Sequence, residues 1–180
     1  KTKYGAESER EQVEGNKKLG AEIKAVEERL TAVLRTDTEM RRVAQRRGVG
    51  LLTATAAIAT MGQAKAFKSA REFCAWLGLV PSQNSSGGRA SLGRITKRGD
   101  DYLRTLLIQG AKSAVMSAHK RSDRISQWLV QLKERVGWQK AVVALANKNA
   151  RIVWAVLAKG RVFDPNHVPV KPGEIVGAVG

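Results

Sequence analysis

The sequence predicts a mainly α-helical protein: a long coiled-coil helix, a helical domain with a helix-hairpin-helix-like segment and an irregular basic serine loop, and an extended tail. Three observations carry that prediction. Apolar residues recur at helical spacing in five separate stretches. Runs with the period of two that marks strands are scarce. The one long non-periodic stretch, residues 81–99, is rich in serine, glycine and basic side chains.

Leu19, Ile23, Val26, Leu30 and Val33 are spaced 4, 3, 4, 3, an a/d seam flanked by charges such as Glu22, Lys24, Glu27 and Arg29. The seam can pair with a second copy, fold back on its own domain, or remain a lone helix. Next, "RRGVGLLTATAAIATMG" (46–62) places a Gly-Val-Gly turn before a helix starting near Leu51. Gly48 and Gly50 are expected to take backbone angles closed to other residues. The helix start offers free N–H groups to a phosphate. Arg46 and Arg47 stand beside it, so this hairpin reads either as a phosphate grip or as a tight helix connection. "AFKSAREFCAWLGLVP" (66–81) predicts an amphipathic helix with Phe67, Ala70, Phe73, Cys74 and Leu77 on one face, ended by Pro81.

Helices are then predicted over 100–119, 124–136 and 138–159. Asp100 and Asp101 suit the first N-terminus, and Leu103, Leu107 and Ala111 form its buried stripe. Lys148 and Arg151 lie three apart on the last helix, neighbours on one flank. From Pro165 the chain turns Pro/Gly-rich. The implied organisation is a coiled-coil helix over 1–45, a domain over 46–163 and a tail over 164–180.

At 180 residues, 43% hydrophobic and 27% charged, the chain can bury a core. Its net charge of +16 points to a polyanionic partner, most directly nucleic acid. That charge is uneven: residues 1–40 hold eight Lys/Arg and nine Asp/Glu, leaving 24 and seven for residues 41–180. No uninterrupted apolar run approaches the roughly 18 residues of a membrane span, so no membrane partner is expected. The single cysteine, Cys74, excludes an intramolecular disulfide and suits a reducing compartment. It sits mid-face without a nearby histidine and reads as core.

Attack on a phosphodiester needs either metal ions held by carboxylates or a nucleophile set among cations. The basic region offers no carboxylate set, zinc pattern or P-loop, so no metal or cofactor is expected in this chain. The second device fits "PSQNSSGGRASLGRITKRGDDYLR" (81–104). Ser85 and Ser86 carry hydroxyls, and Gly87 and Gly88 leave room for a phosphate. Arg89, Arg94, Lys97, Arg98 and Arg104 can surround its oxygens. The same composition also describes a flexible linker.

The run from Gly48 through "GRITKRGDDYLRTLLI" resembles the C-terminal transposase domain of DEDD-type insertion-sequence transposases, the bridge-RNA-guided serine recombinases. The resemblance covers about residues 20–163. It implies that Ser86, or the adjacent Ser85, is a nucleophile that joins covalently to DNA. It implies further that Lys97, Arg98 and Arg104 face phosphates, Arg104 in a catalytic capacity. It also implies a guide RNA, a dimer or tetramer built through the coiled coil, and a bacterial-type, nucleoid-associated cytoplasmic location. Such proteins carry an N-terminal RuvC-like domain with four acidic metal ligands. No segment of this chain matches that domain, and Mg2+ is expected there. The rival reading is a non-catalytic helix-hairpin-helix module that binds nucleic acid and oligomerises.

Overall fold

The computed structural model describes residues 3–60, 67–86 and 89–160. It is mainly α: seven helices and one two-stranded antiparallel sheet among those residues. The predicted tail over 164–180 lies outside them.

Helix α1 (Lys3–Arg35) is long, and the chain breaks at Thr36–Asp37 before α2 (Thr38–Ala44). Only α2 and α3 (Leu51–Thr60) pack against α1. Leu19, Ile23 and Val26 of its seam stay exposed, at 55%, 52% and 43%. These three positions are therefore not covered by described parts of their own chain, while Leu30 of the same seam is half-buried.

The helix predicted over 66–81 is shorter: α4 spans Ala70–Trp76. Ser69 caps its start by accepting from the Glu72 N–H, and the Glu72 carboxylate accepts from the Lys68 N–H at 2.7 Å. Gly78, at a φ of 70°, turns the chain away before Pro81 is reached. Pro81 opens a strand instead of merely closing a helix.

The irregular loop of the sequence reading is a β-hairpin. Strands β1 (Pro81–Ser86) and β2 (Arg89–Ile95) pair antiparallel, with Ser86 opposite Arg89 and a bulge between Pro81 and Gln83. The pairing continues below the strands, where the Thr96 N–H donates to the Val80 carbonyl and the Lys97 N–H to Gly78.

The last three helices match expectation closely because their ends are chemically marked. Asp100 caps α5 (Asp101–Ser117) by accepting from the Leu103 N–H at 2.7 Å. A 3-10 turn, Ala118–Lys120, follows. Asp123 caps α6 (Arg124–Val136), and Gly137, at a φ of 84°, separates it from α7 (Trp138–Lys159). Helix α7 is the centre of the molecule and packs against α2, α3, α4, α5 and α6. By length and apolar content it could cross a membrane. Its apolar surface has a different use here: Val142, Leu145, Ala146, Val153 and Val156 join Phe73, Leu77, Leu103, Leu107 and Leu129 in one core. Cys74 is fully buried in that core, as expected.

Candidate nucleic-acid interface

Two basic features stand on this core. The first is the hairpin. Among the described elements its two strands pair with each other, and it meets the helices at its base, where Ile95 of β2 lines a groove with residues of α5 and α7. The side chains of Ser85, Ser86 and Arg89 lie outside what is described. Their backbone places the two serines at the end of β1, one two-residue connection from Arg89.

The hairpin is held firmly at its root. A Cβ on Gly78 would lie 2.4 Å from the Arg98 carbonyl oxygen, and one on Gly99 would lie 1.6 Å from that of Trp76. Only glycine allows the end of α4 and the segment 97–99 to lie this close. Lys97 itself adopts a φ of 54°, a left-handed conformation uncommon for a residue with a side chain. Arg94, Lys97 and Arg98 are exposed around this root. Lys97 also borders an open groove of about 470 Å³, with Arg104, Lys112 and Trp138 among its other walls.

Arg104 behaves differently from its exposed neighbours. It is 7% exposed, and its Nη1 donates to the carbonyls of Leu77 at 3.0 Å and Asp100 at 3.3 Å. Its Nη2 meets the Asp101 carboxylate. A guanidinium engaged in this way clips α5 to α4. To stabilise a reacting phosphate, as expected from the sequence, it would have to release those partners.

The second feature surrounds the turn between α2 and α3. Gly48 takes a φ of 75° and lies against Gly110, where a Cβ would meet the Gly48 carbonyl oxygen at 2.4 Å. Gly50 departs from expectation: its φ is not positive, and an added Cβ would meet nothing within 4 Å. Only the first glycine of the pair is required by this geometry.

Fully buried Asn149 locks the turn in place. Its Oδ1 accepts from Arg46 Nε at 2.9 Å, and its Nδ2 donates to the Arg47 carbonyl at 2.9 Å. Arg47 makes a two-pronged pair with Asp123, at 3.2 and 2.7 Å. Burial works against the charged form of Asp123, but hydrogen bonds from Ser126 and the pairing with Arg47 outweigh it. Together they hold that carboxyl below its usual range. Arg46 and Arg47 are thus built into the fold as well as lying at the turn.

Lys148 lies over the Trp128 ring, 5.0 Å from its centroid. Burial, then repulsion from Arg46 and Arg124, pushes its ammonium pKa down. Arg151, expected on the same flank, is exposed, and its charge favours the thiolate of Cys74, whose thiol donates to the Asn147 carbonyl at 3.6 Å. Burial nevertheless leaves that thiol pushed up, so it stays in its unreactive form.

The structure therefore brings Arg46, Arg47, Gly48 and Lys148 together, and separately Arg94, Lys97, Arg98 and Arg104. Sequence reasoning missed Arg124, Trp128, Asp123 and Asn149 as parts of the first group. Asn149 left one signal, an amide in the apolar stripe of α7. No cluster of His, Cys, Asp or Glu among the described residues could hold a metal ion.

Residues 40–127, which include the turn, the hairpin and all of α5, match the family model described as "Transposase IS116/IS110/IS902 family". Just under half of this chain therefore matches a transposase family model. The chain is similar to a probable family 20 transposase of Pseudomonas aeruginosa, 45% identical over 82% of this chain and 44% of that protein. It is similar to the transposase for insertion sequence element IS1111A of Coxiella burnetii, 44% identical over 76% of this chain and 38% of that protein. It is also similar to the transposase for insertion sequence element IS1328 of Yersinia enterocolitica, 37% identical over 81% and 43%. The chain thus spans less than half the length of these relatives.

Proposed function

We propose that this chain is a transposase domain that handles DNA and supplies the nucleophile for strand exchange from its hairpin, through Ser86 or the adjacent Ser85. One observation carries the reading. The two serines end a strand that packs on no helix, above a root ringed by Arg94, Lys97 and Arg98. A hairpin of that kind can enter a duplex groove or a second domain without disturbing the core.

In the reaction the serine oxygen forms a bond to phosphorus as the bond to the leaving strand breaks. The serine proton passes to the departing oxygen, which leaves as a hydroxyl end. Attack by a strand end reverses the step, so bond energy is conserved in the phosphoserine link. Exposed cations at the root neutralise the charge gathered on the phosphate. Mg2+ belongs to an N-terminal RuvC-like domain of the longer protein. A guide RNA, assembly through the α1 seam and action in the bacterial cytoplasm complete the proposal.

The test uses the full-length transposase with its RNA and metal. A denaturing gel of labelled DNA should show a covalent adduct with the wild type. Ser86→Ala should abolish it while DNA affinity stays nearly intact, and Ser85→Ala should retain it. The cation group at the Gly48 turn favours a second reading, a binding module with a chemically inert hairpin. Absence of any adduct with the wild type decides for that module.

A further inference from the structure

We propose that the groove between α5 and α7, at the foot of the hairpin, takes an unpaired nucleotide, its base stacked on Trp138 and its phosphates held by Lys97 and Lys112. The inference rests on the nucleic-acid reading of this chain but not on its serine chemistry.

The groove follows from how the two helices meet. Leu107 and Ala111 of α5 join Val142 and Leu145 of α7 in the core. Ile108 and Lys112, four apart and so on one face of α5, flank that contact, as does Trp138 at the start of α7. They wall an open groove of about 470 Å³. Ile95, Ile108, Val142 and Val143 give it an apolar lining, buried or half-buried. That volume lies in the lower part of the range for small-ligand pockets, roughly 300–1,000 Å³. It suits one base with its sugar and is too small for a duplex.

Three features of the lining select the occupant. The first is an uncovered indole. Of the four tryptophans, Trp76 meets the rings of Phe67 and Phe73, Trp128 lies under Lys148 and Trp154 under Lys159. Trp138 is 36% exposed and meets no ring or cation among the described residues. The second is charge. Lys97 and Lys112 make no ion pair with a described residue, whereas the carboxylate on the lining, Asp101, is engaged by Arg104. The groove therefore keeps an excess of positive charge. Lys97 is fixed in its left-handed conformation, its N–H donating to the Gly78 carbonyl at 3.1 Å. An uncommon backbone angle of this kind persists only where the surroundings impose it. The third is a pair of exposed amides, Gln109 and Gln139, each able to donate to and accept from a base edge.

A duplex hides its base faces in its own stack, so an open indole face beside cations fits an unpaired strand. An apolar partner helix would leave both lysines without an anion. Ile95 ends β2 and Lys97 follows it, so a strand in the groove continues directly from phosphates at the Arg94–Arg98 root.

Fluorescence anisotropy tests this with the 180-residue chain and three labelled probes, oligothymidine, oligouridine and a blunt DNA duplex, across a range of salt. Trp138→Ala should weaken single-strand binding by about tenfold, the scale of one lost base stack, and leave duplex binding unchanged. Trp138→Phe should recover most of the loss, which separates stacking from folding. Lys112→Gln should reduce the slope of log K against log salt on the single strand by about 0.7, and Lys112→Arg should keep the wild-type slope. A Trp138→Ala loss on oligothymidine alone, oligouridine alone or both supports the groove and identifies the strand it holds. A wild type that binds only the duplex overturns the proposal while the nucleic-acid reading survives. So does a Trp138→Ala variant that keeps its single-strand affinity or loses duplex affinity equally. If the wild type binds none of the three probes, both are overturned. Displacement by an uncharged amphipathic Leu/Gln peptide helix, as effective as by unlabelled strand, would assign the groove to a partner helix and overturn the proposal.

Discussion

Arg104 Nη1 donates to the Leu77 carbonyl at 3.0 Å and so ties the start of α5 to the end of α4, directly beneath the hairpin root. Arg104→Ala removes this clip and leaves a carbonyl on a fully buried residue without its donor. The expected cost is on the order of 2 kcal/mol. It should appear as a lower urea midpoint with an unchanged m-value. Arg104→Lys should recover little, because an ammonium cannot reach two carbonyls and a carboxylate as a fork does. A midpoint equal to that of the wild type would remove the structural role and return Arg104 to the reacting phosphate.

The glycines divide by what surrounds them. Gly99→Ala forces a Cβ onto the Trp76 carbonyl, and Gly48→Ala places one 3.1 Å from the Gly110 carbonyl at a positive φ. Each should cost more than about 1 kcal/mol. Gly50→Ala meets nothing and should be neutral or stabilising, within about 1 kcal/mol. Thermal melting of the three variants tests this ranking, and a Gly50 variant as damaged as the Gly48 variant would contradict it.

Asp123 gives the fold an acid dependence. Its folded pKa is depressed, so its contribution is present above the unfolded value, about 3.9, and is lost as pH falls through the lower folded value. Asp123→Asn should therefore destabilise the protein near neutral pH and flatten this part of the acid limb. Guanidinium chloride melts at pH 7 and at pH values below the unfolded value of about 3.9 check both halves.

The exposed α1 seam makes a prediction about assembly. If Leu19, Ile23 and Val26 pack against a second copy, Ile23→Glu should shift the chain to monomer in sedimentation experiments. The far-UV spectrum of the core and its melting should be unaffected, because this stretch supports no described part of its own chain. A wild type that is already monomeric at high concentration would rule out the pairing.

Much of the fold was legible because its helix ends carry local signals. Asp100, Asp123 and Gly137 set the limits of α5, α6 and α7 within a residue or two. The hairpin reads in the sequence as an irregular loop, although the adjacent Gly87 and Gly88 are a composition that hairpin turns favour. Its flanks, Gln-Asn-Ser-Ser and Arg-Ala-Ser, lack the apolar alternation that makes a strand readable, since the hairpin has no core to face. The shortening of α4 depended on Gly78 being held by Arg98, a contact twenty residues away. Arg46 and Asn149 are 103 positions apart, and no local pattern could have joined them.

A hairpin clamped at its base, whose strands pair with each other, is a replaceable part. The close backbone contacts at Gly78 and Gly99 hold its orientation, whatever residues line its two strands. Exchanging residues 81–95 between relatives should therefore transplant chemistry while the recipient keeps its melting temperature. Evolution can vary the strands of such a hairpin at little risk to the body that carries it.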